Sequence, residues 1–577
     1  MNHRKPTALA AAFLGMACTA VILHADVTMP AIFGDHMVLQ EGAKLPVWGT
    51  ADPGEAVTVT VGPEKAQAKA DDKGNWRVEL APLPGDSTPV TVTVKGKNTV
   101  TFSDVLIGEV WICSGQSNME FGIGNDYQGA KNIAQANEPE IRLFLVPHAT
   151  SLEPQNDLAK VPATNLAGKW QVVTPAVMGG KWGWNGFSAA GYYFGREIHQ
   201  ATGKPVGLIG TYWGGTPAQA WTSLTGLEKD PELKHYVDAY NKIVADLPTA
   251  TAAYPAKVAA YKTALAAWEA NGGKAFEDQM KAWDAAAKQA VASNQPPPPR
   301  PVPPSPRPRP PAPTDGGQDA PTNLYNGMVA PLIPYAIKGA IWYQGEANAG
   351  RAAEYRKLFP RLIMDWRKKW GEGDFPFFWV QLASYKANAV PNWPFLREAQ
   401  AMTLSLPKTG MATAIDIGDP NNIHPIDKDD VGHRLALVAE HGAYGKTLVY
   451  SGPVYKAMKT NDGAISLTFT HEGGGLVIGH APWASSDASP QPADHLAGFT
   501  IAGADKNFVP ADAKIDGASV IVSSAQVPAP VAVRYDWANA PDPLGSLYNK
   551  EGLPAFPFRT DDWIDPVAMG LPASAAK

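Results

Sequence analysis

The chain has 577 residues, more than one hydrophobic core usually organises, so we expect two to four domains. Hydrophobic residues make up 45% and charged residues 18%, a balance that supports a sizeable core and excludes wholesale disorder. The formal net charge of -6 gives no overall basic field, so we expect no nucleic-acid partner.

The N-terminus has the layout of a secretory signal peptide over residues 1–25. A basic start at His3, Arg4 and Lys5 precedes an apolar run and small residues before a cleavage site after Ala25. A membrane anchor is the alternative, although the run is a little short to span a bilayer. We therefore expect an exported protein, periplasmic or extracellular, with no membrane contact after cleavage.

Two flanking regions read as β domains. Residues 26–104 contain the alternating runs 57–61 and 90–94, separated by turn-forming Asp, Gly and Asn residues. Residues 446–577 return to short alternating strands. We predict a small β-sandwich-type domain at each end of the mature chain.

Residues 105–445 have an α/β pattern, in which buried strands alternate with amphipathic helices. The predicted strands are Val105 to Cys113, Val206 to Tyr212, Ile337 to Tyr343, Phe375 to Leu382 and Met411 to Ile417. An insertion over 225–325 has a heptad-like apolar stripe, which predicts a helical arm. It ends in residues 296–313, where 12 of 18 residues are Pro, which favours an extended linker.

Polar groups and glycines follow four of the five predicted strands. They occur at 114–120, 213–216, 344–348 and 418–425, and Gln381 ends the remaining strand. Ligands of open parallel sheets bind outside the carboxyl ends of the strands, so we expect these segments to form one site.

This set of residues suits acyl transfer. Gly115 permits a tight turn that exposes Ser117 as a nucleophile, and His424 is the candidate base because imidazole titrates near neutral pH. Backbone N–H groups of Ser117 and Gly215, with the Gln344 amide, are candidate donors to the oxyanion. We expect the rate to fall as pH drops through the His424 pKa, with a visible change between pH 5 and 8.

Three other functions fit parts of the pattern. A glycoside hydrolase would pair Glu346 with Asp416 or Asp419. A non-catalytic carbohydrate-binding protein would use the β domains and the tryptophans. A metal site near His424 and His433 is disfavoured because no metal-binding spacing occurs, so we expect no metal and no cofactor.

Several segments together resemble the sialate O-acetylesterase family of the SGNH hydrolase superfamily. They include Gly108–Met119, Trp213–Thr216, Trp342–Glu346 and Ile423–Pro425, in the family's order from about Asp26 to Trp563. The resemblance implies a flavodoxin-like parallel sheet flanked by β domains. It also implies metal-free removal of O-acetyl groups from carbohydrates, with sialic acid and plant cell-wall glycans as the alternative substrates.

The resemblance makes Ser117 the nucleophile, His424 the base, and Gly215 and Gln344 oxyanion positions. SGNH enzymes usually have Asp three residues before the histidine, whereas this chain has Asn421 there, followed by Asn422. Asp419, Asp416, an asparagine or no third residue remain as alternatives, with Asp419 favoured.

Substrate binding is assigned to polar and aromatic residues beside these motifs. The expected partner is an acetylated carbohydrate, and the sequence does not define an oligomeric state. The residues assigned to substrate binding are Gln116, Asn118, Glu346, Trp213 and Arg397.

Overall fold

The computed structural model describes residues 26–162, 166–292, 298–299, 301–386, 390, 392–479 and 496–571. The predicted signal peptide, residues 1–25, lies outside these ranges. The described chain is a mixed α/β structure with a large central sheet and several smaller β-sheets.

The N-terminal region is built from short strands whose residues alternate between buried and exposed, as in a sheet with one solvated face. The strands are β1 Val38–Gln40, β2 Leu45–Thr50, β3 Ala56–Val61, β4 Glu64–Lys69, β5 Asn75–Leu80, β6 Asp86–Lys95 and β7 Thr99–Gly115. Strands β2 and β5 form a separate antiparallel ribbon.

Strand β7 is 17 residues long and belongs to two regions at once. Its first half pairs antiparallel with β6, and its second half lies in the parallel part of the central sheet. The boundary expected between residues 104 and 105 therefore falls inside one continuous strand. A single hydrophobic cluster extends from Val27 through Trp342 to Met569.

The central region supplies the remaining strands of the large sheet and the helices that cover it. Its strands are β8 Glu138–Leu145, β9 Trp170–Val173, β10 Val206–Tyr212, β11 Gly339–Tyr343, β12 Phe377–Gln381 and β13 Thr409–Thr413. Its helices are α1 Ser117–Glu120, α2 Gly129–Gln135, α3 Pro175–Met178, α4 Ala189–Thr202, α5 Leu224–Leu227, α6 Lys234–Trp268, α7 Lys274–Ala292, α8 Ala352–Trp370, α9 Trp393–Met402 and α10 Asp429–Gly442.

The sheet order is β13-β12-β11-β7-β10-β8-β9, parallel except for β9 at the edge. Strand β8 was not predicted because Glu138, Glu140 and Arg142 interrupt its apolar run. The last predicted strand is shorter than expected, since Ile415–Ile417 form a buried 3₁₀ turn after β13. An apolar run indicates that a segment is buried, but it does not show whether the buried segment is a strand or a 3₁₀ turn.

The predicted helical arm consists of α6 and α7, joined at Asn271 and Gly272, whose backbone is not helical. The described part of the proline tract, 298–299 and 301–313, has no regular secondary structure and returns along the arm. The Trp268 indole N–H donates to the Ser305 carbonyl, and Arg307 lies over the Trp268 ring.

The C-terminal region forms three small antiparallel sheets. Its strands are β14 Val454–Asn461, β15 Ala464–Thr470, β16 Leu476–Ile478, β17 Phe499–Ala502, β18 Val509–Pro510, β19 Asp512–Asp516, β20 Ser519–Ser523, β21 Ala532–Tyr535, β22 Leu547–Asn549 and β23 Phe558–Arg559, followed by helix α11 Pro566–Met569. The inward side chains of these strands form their own hydrophobic cluster.

Candidate active site

Ser117 lies on a sharp turn at the carboxyl end of β7, the strand between β11 and β10. Gly115 makes this turn possible: its φ is +139°, and a Cβ there would lie 2.2 Å from the Tyr343 carbonyl oxygen. Gly115 pairs with Tyr212 of β10 and Tyr343 of β11, so three strands end at the same level. The segments that follow them therefore surround Ser117.

His424 comes from the loop after β13, and its Nε2 lies 2.9 Å from Ser117 Oγ. The structure thus brings together two residues that are 307 positions apart in the chain. The distance is that of a hydrogen bond between a nucleophile and its general base.

Backbone contacts of its own loop hold the histidine in place. Asn118 Nδ2 donates to the Ile423 carbonyl over 3.0 Å and to Glu346 Oε1 over 2.6 Å. Lys428 Nζ donates to the Pro425 carbonyl. Asn118 and Glu346, expected at the substrate, therefore support the loop that carries His424.

Burial and a neighbouring cation both act on His424. Its pKa is lowered to about 4, first by burial and second by the charge of Lys428. The imidazole is therefore neutral, and able to accept a proton, across the whole range from pH 5 to 8. The structure therefore disagrees with the predicted change of rate between pH 5 and 8. It places the acid limb, where protonation of His424 lowers the rate, below pH 5.

Lys428 is a component of this site that sequence reasoning missed. Its side chain is fully buried, and its ammonium lies 4.5 Å from the Phe121 ring centre and 5.7 Å from that of Tyr343. Burial lowers the pKa of Lys428 to about 7, against the opposing attraction of nearby carboxylates. A lysine four residues after the candidate base was the one available sequence signal.

In the described structure, no carboxylate accepts a hydrogen bond from the His424 imidazole. Asp416 accepts from Arg434 over 2.6 and 2.9 Å and from the Tyr548 hydroxyl, so it belongs to a buried ion pair. Asp419 accepts from the Asn421 N–H of its own turn. Among the described residues, neither aspartate hydrogen bonds to His424.

The two asparagines do not fill this position either. Asn422 Oδ1 accepts from the backbone N–H of His424 over 3.0 Å, and Asn421 is exposed. Within the described ranges, Nδ1 of His424 has no hydrogen-bond acceptor. Of the alternatives that the sequence left open, the geometry favours a Ser–His dyad.

Two backbone N–H groups are available beside Ser117. In the described chain, neither the Ser117 N–H nor the Gly215 N–H has an acceptor, whereas Gly214 N–H donates to Glu120 Oε2 over 2.6 Å. A Cβ on Gly214 would lie 3.3 Å from Ser117 Cβ, so this glycine turn packs directly against the serine. Gly215 itself is exposed, with φ of +79°.

Gln344 is not available as the third oxyanion donor in this conformation. Its amide nitrogen donates to the Thr216 carbonyl and to Asn348 Oδ1, which uses both of its hydrogens. Its oxygen accepts from the Tyr355 hydroxyl. The side chain is fully buried and connects the turns after β10 and β11.

Two further residues assigned to substrate binding have internal roles. Gln116 Oε1 accepts from the Gly345 and Ala347 N–H groups and so shapes the turn after β11. Arg397 is fully buried and donates to the carbonyls of Leu382, Ala383, Ala538 and Asn539. Arg397 is therefore a structural link to the C-terminal region, and its guanidinium faces protein carbonyls where the sequence predicted a substrate carboxylate.

Aromatic rings flank the serine and histidine. Trp184 is 38% exposed and meets His424 edge to face at 4.8 Å. Trp213 is half-buried and stacks on His148, with the ring centres 4.2 Å apart. The exposed surfaces of these rings beside Ser117 suit the apolar face of a sugar.

In the part of the chain that the structure describes, every helix is too short or too polar to cross a lipid bilayer. Nowhere in the described ranges do three His, Cys, Asp or Glu side chains converge as a metal site would require.

Several known proteins similar to this chain are carbohydrate esterases. A family model described as "Carbohydrate esterase, sialic acid-specific acetylesterase" matches residues 317–439. The chain is 29% identical to sialate O-acetylesterase of Mus musculus over 473 residues, covering 76% of this chain and 78% of the relative. The human sialate O-acetylesterase is 28% identical over 468 residues, 75% of each chain.

A solved structure extends this similarity over nearly the whole protein. A carbohydrate acetylesterase from Xanthomonas citri is 35% identical, with a TM-score of 0.70, and covers 93% of this chain and 100% of its own. That identity over the full length of the relative establishes common membership and the shared activity. The chain belongs to the sialate O-acetylesterase family and is a carbohydrate O-acetylesterase.

Proposed function

We propose that the enzyme removes O-acetyl groups by a serine mechanism with an acetyl-enzyme intermediate. The observation that carries the proposal is the 2.9 Å contact between Ser117 Oγ and His424 Nε2 at the carboxyl end of the central strand. The neutral state of His424, maintained by burial and by Lys428, supports its role as the base.

Acetylation of the serine is the first half-reaction. His424 Nε2 takes the Ser117 proton as Oγ attacks the acetyl carbonyl carbon, and the carbonyl oxygen becomes an oxyanion. The imidazolium then gives its proton to the sugar oxygen as the ester bond breaks. The sugar leaves with its hydroxyl restored, and the acetyl group stays on Ser117.

Hydrolysis of the acetyl-enzyme uses the same groups. His424 takes a proton from a water molecule as the water oxygen attacks the acetyl-serine carbonyl carbon. The imidazolium then returns this proton to Ser117 Oγ as acetate leaves. We propose that the Ser117 and Gly215 N–H groups stabilise the oxyanion in both steps, where one donor is typically worth about 2.7–4 kcal/mol. Gln344 connects the turns after β10 and β11 that lie beside these two N–H groups.

The proposed dyad lacks the group that normally orients the imidazole and stabilises its charged form. Contacts to the carbonyls of Ile423 and Pro425 and to the His424 N–H supply the orientation. No equivalent group supplies the charge stabilisation in the described structure, and the positive charge of Lys428 opposes it. The half-buried imidazole is thus a weak base that is neutral, and able to accept a proton, above about pH 5.

The acetyl group that is removed belongs to a sugar, and we propose sialic acid or plant cell-wall glycans as its carrier. The relatives' names cover both a sialate esterase and a carbohydrate acetylesterase. Acetate release on matched panels of acetylated sialic acids, xylans and xyloglucans distinguishes them. We expect kcat/KM to be clearly higher for one class of substrate, the sialic acids or the plant polysaccharides, than for the other. Equal kcat/KM values for the two classes would contradict specificity for one of them.

We also propose that residues 1–25 direct export and are removed. Expression of the full chain in a bacterial host should give a mature protein that begins at Asp26, found outside the cytoplasm. N-terminal sequencing of the fractionated protein checks this. Recovery of an uncleaved chain from the cytoplasm would contradict it.

Ser117→Ala tests the serine mechanism. We expect acetate release to fall by a factor of at least about 10³, because the nucleophile is removed. Rapid acid quenching of the native enzyme with an aryl acetate should trap one acetyl group on the peptide that contains Ser117. Ser519→Ala, on β20 of the C-terminal region, is the matched control and should keep full activity. Substantial activity in Ser117→Ala would refute the proposal.

A further inference from the structure

A second cleft lies outside the site of Ser117, at the contact between the N-terminal ribbon and the central region. Its volume is about 590 Å³. One wall is the solvent-facing side of the β2–β5 ribbon, and the other comes from the loop after β8 and from Ile333 and Pro334. This volume is within the range of sites that hold small ligands.

The ribbon wall combines an aromatic ring with polar groups on one face. Trp48 pairs directly with Arg77 across the two strands, and Thr50 pairs with Asn75. Because side chains alternate along a strand, these four residues project from the same face. Trp48 packs edge to face against Phe33 at 4.7 Å and remains partly exposed.

The opposite wall presents exposed amide and carboxylate groups. Gln155, Asn156 and Asp157 are all exposed and line the cleft. Asp157 Oδ1 accepts from the Ala31 and Leu158 N–H groups, which fixes its position. Among the described residues, no group donates to its second oxygen. Nothing in the described chain hydrogen bonds to the Asn156 side chain.

The charges around the cleft balance. Lys69 and Arg77 bring two positive charges, and Asp71 and Asp157 bring two negative charges. A strongly charged ligand would gain little here, whereas a neutral ligand with many hydroxyl groups would find both donors and acceptors. An aromatic face bordered by amides, carboxylates and a guanidinium matches the two chemically distinct surfaces of a sugar ring.

A single loop runs from the cleft to the active site. His148, which stacks on Trp213 beside the Gly214–Gly215 turn, and Asn156 belong to the same loop. Asn326 donates to the carbonyls of Ser151 and Leu152 and so fixes the middle of this segment. Eight residue steps limit the separation of the His148 and Asn156 Cα atoms to about 29 Å at full extension, a length within reach of an extended polysaccharide.

We propose that this cleft is a second binding site for a neutral polysaccharide, which holds the glycan chain while its acetyl groups are removed at Ser117. The proposal rests on the carbohydrate O-acetylesterase activity and does not depend on the serine mechanism. It predicts that affinity for long substrates depends on Trp48, while small acetyl esters do not sense the cleft.

Trp48→Ala and the double variant Arg77→Ala/Asn156→Ala test the proposal. With acetylated xylan or xyloglucan polymers we expect KM to rise about five-fold or more at unchanged kcat. On a small aryl acetate, kcat/KM should stay within about two-fold of the native enzyme, since that ester occupies only the active site. Trp563→Ala, a half-buried tryptophan of the C-terminal region, is the matched control and should behave as native on both substrates.

Binding without catalysis is measured by affinity electrophoresis of the native enzyme in gels that contain the same polymers after chemical deacetylation. Retardation by the neutral polymers that is lost in both variants supports the cleft. Retardation only by a sialylated glycan, no retardation, or retardation unchanged in the variants would overturn the proposal. If Trp48→Ala is unstable because its packing against Phe33 is lost, the test rests on Arg77→Ala/Asn156→Ala, because both of those side chains are exposed.

Discussion

His424 is held by its backbone neighbours rather than by a carboxylate, and this arrangement determines its acid–base behaviour. Burial disfavours the imidazolium, and the Lys428 charge disfavours it further. The carboxylates of Glu346, Asp126 and Asp427 face Lys428 and keep it charged to about pH 7. The base and the buried lysine therefore form one electrostatic unit around the Pro425 carbonyl.

The pH profile of the native enzyme and of Lys428→Met tests this unit. We expect the acid limb of kcat/KM for an aryl acetate to lie near pH 4, with a level profile from pH 5 to 7. Removing the cation removes one cause of the low His424 pKa, so the limb of Lys428→Met should move up towards 6.5.

The control for this experiment is Lys368→Met, an exposed lysine on α8 whose limb should remain near pH 4. A limb near 6.5 in the native enzyme, or no movement in Lys428→Met, would contradict the assignment.

Asp419→Asn asks whether an acid assists His424. An aspartate that orients a catalytic histidine is worth about 10⁴ in kcat. Asp419 instead accepts from its own turn, so we expect kcat on an aryl acetate to fall less than about ten-fold. A loss near 10⁴ at unchanged thermal stability would show that Asp419 completes a triad.

At the level of elements, the strand ends assemble the site and the helical arm stands apart from it. Glycine at the end of β7 and the shared register of β7, β10 and β11 place Ser117, Gly215 and Gln344 at one level. The arm joins the central region through its base, where the Tyr240 hydroxyl donates to the Leu152 carbonyl. Most side chains between residues 244 and 275 are exposed.

Excision of the arm should therefore spare catalysis. A Cβ on Gly316 would lie 2.9 Å from Ile243 Cδ1, so the two ends of the excised segment are close together. We expect a chain in which a short Gly–Ser linker replaces residues 245–313 to keep kcat/KM for an aryl acetate within about two-fold. An insoluble or inactive product would show that the arm stabilises the central region.

At the scale of the whole molecule, shared elements connect all three regions. Strand β7 runs from the N-terminal sheet into the central sheet, and Arg397 connects helix α9 to residues 538 and 539. Asp536 lies nearby, and its pKa is raised to about 7 by burial and lowered in part by the Arg397 charge. The Arg397 guanidinium is thus one polar link between the central and C-terminal regions, beside the Arg559–Glu398 ion pair.

Arg397→Met should weaken this link strongly. It removes the guanidinium donor from four carbonyls, of which, among the described residues, only that of Asn539 keeps another donor, the Tyr385 N–H. Breaking a buried charged network typically costs about 3–5 kcal/mol. We expect a lower midpoint in urea unfolding, with KM for an aryl acetate unchanged at temperatures where the variant is folded. Lys368→Met again serves as the control. Normal stability with a raised KM for acetylated sialic acid would restore a substrate role.

The sequence alone indicated Ser117 and His424 as the candidate reacting pair and predicted most of the strands that carry the site. Gly115, two residues before Ser117, and the polar groups after apolar runs are local signals, because turn geometry and strand burial depend on neighbouring residues. Resemblance to a known family supported His424 and Gly215, which the chemistry of the strand ends had already indicated. Strand β8 escaped detection because its charged residues are satisfied by partners distant in sequence, as Arg142 is by Asp104.

Only the tertiary structure decided which polar side chains are available to a substrate. Gln344, Arg397 and Asp416 have the right chemistry in the sequence, but each is fully engaged with groups from other parts of the chain. The burial of Lys428 against Phe121 and Tyr343 and the cleft beside Trp48 arise in the same way, from segments that meet only on folding. Hydrogen-bond partners and burial are properties of that assembly, and a linear pattern does not contain them.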